Sequence, residues 1–389
     1  MRSALTDRLS RALDLLRKEN RFRDPRRLSA APGARTAIDG RTVVNFASNN
    51  YLDLAGHPAV AEAAARGVRE WGAGATASRL MGGTLALHRQ LEEALADHKG
   101  TEAALVFPSG YQANVGSLTA LLSPEDTVVL DRLAHASLVD GARLSRARLK
   151  VFRHNDPEDL EKVLGRLGGG GERWVLVESV YSMDGDRAPL VELSAVCRRR
   201  GARLYVDEAH GTGVWGPQGR GVVNDLGLEK EVDVCMGTLS KALGAQGGFV
   251  GGSRALVDWL QNKARAYIYS TALAPASAGA ALAALSIARE DDAGRKKLFA
   301  LSARLRAGLG LEGDGPIVPV VVGETSAALD LSAALWDAGF LAPAVRPPTV
   351  PEGTARVRFS LTAGHTEEQI DGALAVVRRW REKNAVEVS

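Results

Sequence analysis

Cysteine is scarce in this chain. Only Cys197 and Cys235 occur among 389 residues, and they form no C-x-x-C. Their spacing excludes a cysteine-based metal centre and a disulfide framework. Two free thiols suit a reducing compartment, so a cytoplasmic protein is expected. An excess of one charge is also missing. Lys plus Arg number 49 against 46 Asp plus Glu, a net +3. No nucleic-acid partner is therefore expected, although Arg17, Arg21, Arg23, Arg26 and Arg27 crowd one arm. Residues 1–20 lack the apolar core of a signal peptide. The uncharged stretch 266–288 is mostly Ala, Ser and Gly around Pro275, too weakly apolar for a membrane span. It reads as a loop and a buried helix. No G-x-x-x-x-G-K-[ST] occurs, so no phosphate loop supports nucleotide hydrolysis. Internal repeats and low-complexity linkers are absent too.

Glycine, by contrast, is abundant at 42 residues, which points to sharp turns and close backbone approaches. Leu5, Leu9, Leu13 and Leu16 recur at helical spacing and predict a short amphipathic helix. Asp39-Gly40 predicts the turn of a hairpin over 35–46. Further on, apolar runs at 103–107, 127–130, 174–178, 204–207, 232–236 and 249–251 alternate with helical stretches such as 85–99 and 190–200. Several runs are apolar throughout, as strands covered on both faces are. The alternation predicts an α/β fold around a mainly parallel sheet, with its site at the carboxyl ends of the strands.

Beyond 290 the pattern changes to a smaller α+β unit. A strand is expected at 317–322 and a helix at 325–338. Residues 356–361 alternate strictly, with Val357, Phe359 and Leu361 on one face and Arg356, Arg358 and Ser360 on the other. Residues 366–369 spell a capping box that opens a last helix. The expected divisions are an N-terminal helix-and-hairpin arm at 1–46, a large domain at 47–290 and a small one at 291–389.

The sharpest motif is Thr238-Leu239-Ser240-Lys241-Ala242-Leu243-Gly244. A lysine among small residues at a strand exit can lose its proton in a dry pocket and become a nucleophile toward an aldehyde. Taken alone, Lys241 reads as a surface lysine, as most lysines are. Its company changes that: an apolar strand ends in Asp207, three residues before His210. A carboxylate there can pair with a protonated ring nitrogen. The D-E-A-H string at 207–210 lacks the phosphate loop a helicase needs. Gly211-Thr212-Gly213-Val214-Trp215-Gly216 matches G-x-G-x-x-G, yet Pro217 and Gly219 follow where a dinucleotide fold starts its helix. Ser109 is a candidate N-cap for a helix that could hold a phosphate. His135 follows the run 127–130 and could stack on an aromatic ring.

Together with 180–186, 267–271 and 346–356, these segments resemble the α-oxoamine synthases, a family of fold-type I pyridoxal-phosphate transferases. The likeness spans nearly the whole chain. It implies a large, mainly parallel seven-stranded sheet domain, a smaller α+β C-terminal domain and a helical N-terminal arm. It also implies pyridoxal 5′-phosphate as cofactor and a homodimer with shared active sites. By position, Lys241 becomes the Schiff-base lysine, Asp207 the partner of the pyridinium and His135 the stacking ring. Ser182 and His210 face the ring hydroxyl, Gly110 and Tyr111 help hold the cofactor, Thr238 meets its phosphate, and Thr271 reaches the phosphate of the neighbouring subunit. Arg358 clamps the amino-acid carboxylate and Asn49 contacts substrate. Thr349 and Arg23 match acyl-substrate positions, and a shift of two residues would move the latter role to Arg21. Segment 346–356 is most similar to the branch that condenses L-alanine with pimeloyl-CoA, or a pimeloyl carrier thioester, releasing CoA and carbon dioxide. Glycine with acetyl- or succinyl-CoA, and serine with a long-chain acyl-CoA, are the alternatives within the family. A silent scaffold would have no need to keep Lys241, Asp207 and His135 together.

Overall fold

The computed structural model describes residues 4–384. Its centre is a seven-stranded sheet. In chain order the strands are β3 (Ala103–Phe107), β4 (Thr127–Asp131), β5 (Arg148–Phe152), β6 (Arg173–Glu178), β7 (Arg203–Asp207), β8 (Val234–Thr238) and β9 (Gly248–Gly252). They lie in the order β3-β9-β8-β7-β6-β4-β5, with only β9 running antiparallel to its neighbours. Alternate side chains feed two separate cores. Leu105, Leu130, Leu176, Tyr205 and Met236 pack on one face with the helices Gly110–Leu121, Ala136–Leu144 and Arg254–Lys263. Val106, Val129, Val175, Val177, Val206 and Phe249 pack on the other. This double cover is why the runs read as apolar throughout.

β5 was not anticipated. It is one of the sheet's two outer strands, and Arg148 and Lys150 stay exposed on it. Charge on an edge blocks further pairing, and the same charge hides the strand in the sequence.

The hairpin forms as expected. β1 (Arg35–Ile38) and β2 (Arg41–Asn45) pair with Ile38 opposite Arg41. Asp39 and Gly40 both have positive φ, 49° and 79°, as a two-residue hairpin turn needs. β11 (Phe340–Leu341) joins β2 in parallel, so the N-terminal arm shares a sheet with the C-terminal part of the chain. β10 (Ile317–Gly323), β13 (Ala355–Ser360) and β12 (Ala344–Val345) form a third sheet. The alternation of β13 holds, but its polar face is not solvent-facing: Arg356 and Arg358 are 4% and 6% exposed. They point into the cleft beside the large sheet.

The helix Ala4–Lys18 buries no residue, and Leu5, Leu9 and Leu13 lie open along it. The helix Pro275–Glu290 is buried, with Pro275 in its first turn, and packs closely on the helix Pro58–Trp71 through Gly67, Ala63 and Gly279. Among the described residues no helix is long and apolar enough to cross a membrane. The capping box is present, with Thr366 and Gln369 each accepting from the other's amide at 3.4 and 3.1 Å.

One approach positions the site. Gly248, in β9, lies so close to the start of the helix Gly110–Leu121 that a Cβ on it would sit 2.6 Å from the Gly110 Cα. Gly248→Ala is expected to cost about 1–3 kcal/mol by overpacking, read as a lower urea midpoint. An unchanged midpoint would show that sheet and helix have room between them.

Candidate active site

The parallel strands end on one edge of the sheet, and their carboxyl ends carry the polar groups. Glu178 closes β6 and Asp207 closes β7, as register partners on neighbouring strands. Thr238 closes β8, and the chain then turns through Ser240 to Lys241. The same edge receives the start of the helix Gly110–Leu121, where the Ser109 hydroxyl accepts from the Gln112 amide at 3.2 Å. The result is a cavity of about 230 Å³ lined by Gly110, Tyr111, His135, Asp207, Thr238 and Lys241. Asn114, Ser137 and Glu178 complete its polar wall.

Asp207 is 4% exposed and well held. One oxygen accepts from the Ala209 amide and the other from Asn114 Nδ2, both at 2.8 Å. Each oxygen keeps a lone pair for a further donor. Glu178 accepts from the His135 amide at 2.6 Å. Burial, and then the charge of Asp207, push the Glu178 carboxyl well above its ordinary range. The His135 ring caps the helix Ala136–Leu144, accepting from the Ser137 amide at 3.2 Å. Burial lowers its pKa, so the ring is neutral near pH 7.

Lys241 Nζ meets His210 Nε2 at 2.9 Å. Burial and the neighbouring Lys241 push His210 well below its ordinary value, so this ring too is neutral. Its Nδ1 lies 2.6 Å from the Tyr51 hydroxyl. A proton on Nδ1 donates to Tyr51 and leaves Nε2 to accept from Lys241. Tyr51 in turn donates to Asn49 Oδ1 at 3.3 Å, and that oxygen also takes Arg358 Nη2 at 3.2 Å. Arg358 Nε donates to the Ser182 carbonyl at 2.6 Å. A continuous chain of hydrogen bonds thus runs from Lys241 to β13. Burial lowers the Lys241 pKa to about 8, against the opposing pull of Asp207 and Glu178.

Two larger cavities continue from this one. A space of about 550 Å³ shares His135 with it and is walled by Ser182, Met183, Thr349 and Val350. Another, of about 600 Å³, shares Met183 and Thr349 and holds Arg21 and Arg23. Arg23 Nη2 donates to Thr349 Oγ1 at 3.3 Å, whereas Arg21 pairs with Glu19 at 3.2 Å.

Lys241, Asp207, His135, Gly110, Tyr111 and Thr238 therefore share one pocket, and His210 abuts Lys241. Asn49, Ser182 and Arg358 are joined to one another beyond it, and Arg23 joins Thr349 farther out. Thr271 is apart, exposed and bridged to Ser78. Sequence reasoning missed Glu178, Asn114 and Tyr51. Glu178 had a signal, a carboxylate closing an apolar run just as Asp207 does. Nothing in the sequence pairs Asn114 with Asp207 or Tyr51 with His210.

The Aminotransferase class I and II family matches residues 41–377. The chain belongs to that family. Its fold is that of the fold-type I pyridoxal-phosphate transferases, and it is an acyltransferase of the α-oxoamine synthase group. It is 48% identical to 8-amino-7-oxononanoate synthase of Alkalilimnicola ehrlichii over 96% of this chain and 97% of that one. A serine palmitoyltransferase variant from S. paucimobilis, solved with bound pyridoxal phosphate and myriocin, is 34% identical with a TM-score of 0.92, covering 99% of this chain and 100% of that one. The 8-amino-7-oxononanoate synthase of Francisella tularensis is 28% identical with a TM-score of 0.77, over 88% of this chain and 99% of that one.

Burial disfavours the charged amine, so Lys241 sheds its proton at lower pH than a free lysine, and its reactive fraction grows as pH rises. The rate at which pyridoxal phosphate joins the cofactor-free protein is expected to climb through a midpoint near 8. A midpoint near that of an ordinary lysine, about 10.4, would contradict the dry pocket.

Proposed function

We propose that this protein condenses L-alanine with pimeloyl-CoA, or a pimeloyl carrier thioester, to 8-amino-7-oxononanoate, carbon dioxide and the free thiol. The observation that carries the reading is 48% identity over 96% of the chain to a protein of that name. Segment 346–356 resembles that branch, and its residues 346–351, with 181–184, line the two outer cavities.

The residues of the inner pocket fit pyridoxal phosphate. Asp207 has a lone pair free on each oxygen and faces the Lys241 amine across a small cavity. Gly110 leaves open a space that a Cβ would narrow, 3.3 Å from Thr238 Oγ1 and 3.1 Å from Met236 Cε. First-turn amides at Gly110 and Tyr111 are donors for a phosphate, and the Thr238 hydroxyl, which donates to the Gly247 carbonyl at 2.9 Å, would join them by turning toward the pocket. When bound, the cofactor supplies an aldehyde for amines and a sink for the electrons of a carbanion.

The chain's own groups do the rest. Asp207 accepts the ring N–H and keeps that nitrogen protonated. His135 would cover a face of the ring, and His210, with Ser182 from the adjoining cavity, would lie toward its hydroxyl. Arg358 receives the alanine carboxylate, with Asn49 orienting the guanidinium. Lys241 Nζ, in its neutral form, would take the Cα proton and later return it. Neutral His210 accepts a hydrogen bond from that amine and aims it. Thr349 and Arg23 bind the acyl thioester in the outer cavities. Thr271, exposed and outside its own pocket, serves the phosphate of the partner in a homodimer. The buried free thiols Cys197 and Cys235 suit the cytoplasm.

Serine with a long-chain acyl-CoA is the second reading, favoured by the TM-score of 0.92 to a serine palmitoyltransferase. Free thiol release, measured for alanine, glycine and serine against pimeloyl-, acetyl-, succinyl- and palmitoyl-CoA, decides between them. Highest kcat/KM for any pair but alanine and pimeloyl-CoA overturns the assignment.

Lys241→Ala is expected to lower turnover by about 10²–10⁴-fold or more and to remove the visible absorbance band of the holoenzyme. Asp207→Asn should slow Cα proton exchange by about 10²-fold, measured by deuterium wash-in to alanine. Normal exchange would contradict the pairing with the ring. Arg23→Ala should raise KM for the acyl thioester roughly tenfold, as loss of a charged hydrogen bond does, and leave KM for alanine unchanged. An effect on alanine instead would move Arg23 off the acyl path.

A further inference from the structure

Two features of the sequence have no part in the chemistry above: Glu208, inside D-E-A-H, and the glycine-rich loop after it. The fold joins them. Glu208 follows Asp207 and points away from the inner pocket, where its side chain is wholly buried at 0% exposure against Lys99 at 1%. Lys99 is the last residue of the helix Ala86–Lys99. Its ammonium forms an ion pair with Glu208 Oε2 and also donates to the Arg220 carbonyl. The other carboxylate oxygen of Glu208 accepts from the Val223 amide at 3.0 Å. Asn224 Nδ2 returns the tie by donating to the Lys99 carbonyl at 3.1 Å.

The backbone of Glu208 is equally engaged. Its amide donates to the Met236 carbonyl at 2.7 Å, which holds the turn to β8. Its carbonyl accepts from the amides of Gly211 and Thr212 at 3.0 and 2.9 Å, which bends the chain just after His210. The loop then passes directly over the pair. A Cβ at Gly221, where φ is +116°, would strike both Glu208 Oε2 and Lys99 Nζ. Only glycine lets the backbone cross there.

We propose that the buried Lys99–Glu208 ion pair is the positioning device of the active site: it ties the end of a distant helix and the 216–224 loop to the turn 207–212, and so sets Asp207 and His210 against Lys241. The inference rests on the proposed roles of Asp207 and His210. It gives the residue types a reason. A buried pair is no surplus source of stability, because apolar replacements of both partners are often neutral, whereas removal of one leaves a stranded charge. What the pair adds is direction, since each charge accepts only a few geometries. A misplacement of about 1 Å at a reacting group can cost on the order of 10²-fold.

The full-length protein tests this through Lys99→Met, Glu208→Gln and the double variant. Each single variant strands a charge and should lower Tm on the order of 10 °C. The double variant removes both charges and keeps an acceptor for the Val223 amide. It should regain Tm to within about 4 °C of the parent. It should nonetheless bind pyridoxal phosphate about tenfold more weakly and shift the pH midpoint of the visible band. Parental affinity and midpoint in the double variant would mean that the pair only stabilises, and would overturn the proposal. Glu208→Asp keeps both charges but shortens the reach, so it gives the same reading should the double variant not fold: weaker cofactor binding in a protein that still unfolds cooperatively supports the device, and parental binding overturns it. Asp207→Asn, measured alongside, separates the two levels. Lost affinity there with parental affinity in the double variant overturns the positioning role alone. Normal Cα proton exchange in Asp207→Asn overturns the placing of the cofactor at Asp207 and the positioning role with it.

Discussion

An amine that must react at neutral pH needs surroundings dry enough to strip its proton and charged enough to keep it near the balance point. Lys241 has both. Burial takes its pKa down, and the carboxylates of Asp207 and Glu178 resist, leaving it at about 8. The two carboxyl groups stand side by side because Glu178 and Asp207 are register partners on adjacent strands. Those strands are parallel and covered by apolar side chains on both faces, so the packing of the sheet stands behind one proton.

The site is also a meeting of distant parts of the chain. Lys241, His210, Tyr51, Asn49 and Arg358 form one run of hydrogen bonds. Its members come from the loop after β8, the turn after β7, the segment following the hairpin, and β13. Protonation of one neutral ring, His210, would break that run at its Lys241 end by removing the acceptor that faces the amine. Burial prevents this over the ordinary pH range. Substrate groups held at Arg358 are thereby linked, through shared partners, to the orientation of the reactive amine.

Much of this was legible beforehand. The runs ending in Phe107, Glu178 and Asp207 are apolar throughout, and the sheet they predict is present with those ends on one edge. Asp39-Gly40 announced its hairpin, and 366–369 its cap, because both signals are local. β5 escaped because an outer strand carries charge on its open side. The alternation in β13 was legible, but not what its arginine face meets. An alternating strand reads the same whether its polar side meets water or a polar cleft. Arg356 turned out to face Asp184, and Arg358 to face Asn49 and the Ser182 carbonyl.

The order of residues along the chain was enough to determine the class of fold, the strand that ends in an acid and the lysine among small neighbours, because hydrophobic period, turn chemistry and motif spacing are properties of consecutive residues. Three-dimensional packing decided the rest: that Asn114 holds Asp207, that Glu178 crowds it, that Arg23 and not Arg21 meets Thr349, and that Glu208 turns its back on the pocket to bind Lys99. Those outcomes depend on which surfaces are brought together over separations of up to hundreds of residues. Desolvation and charge pairing act through space, so no reading of neighbours in sequence can supply them.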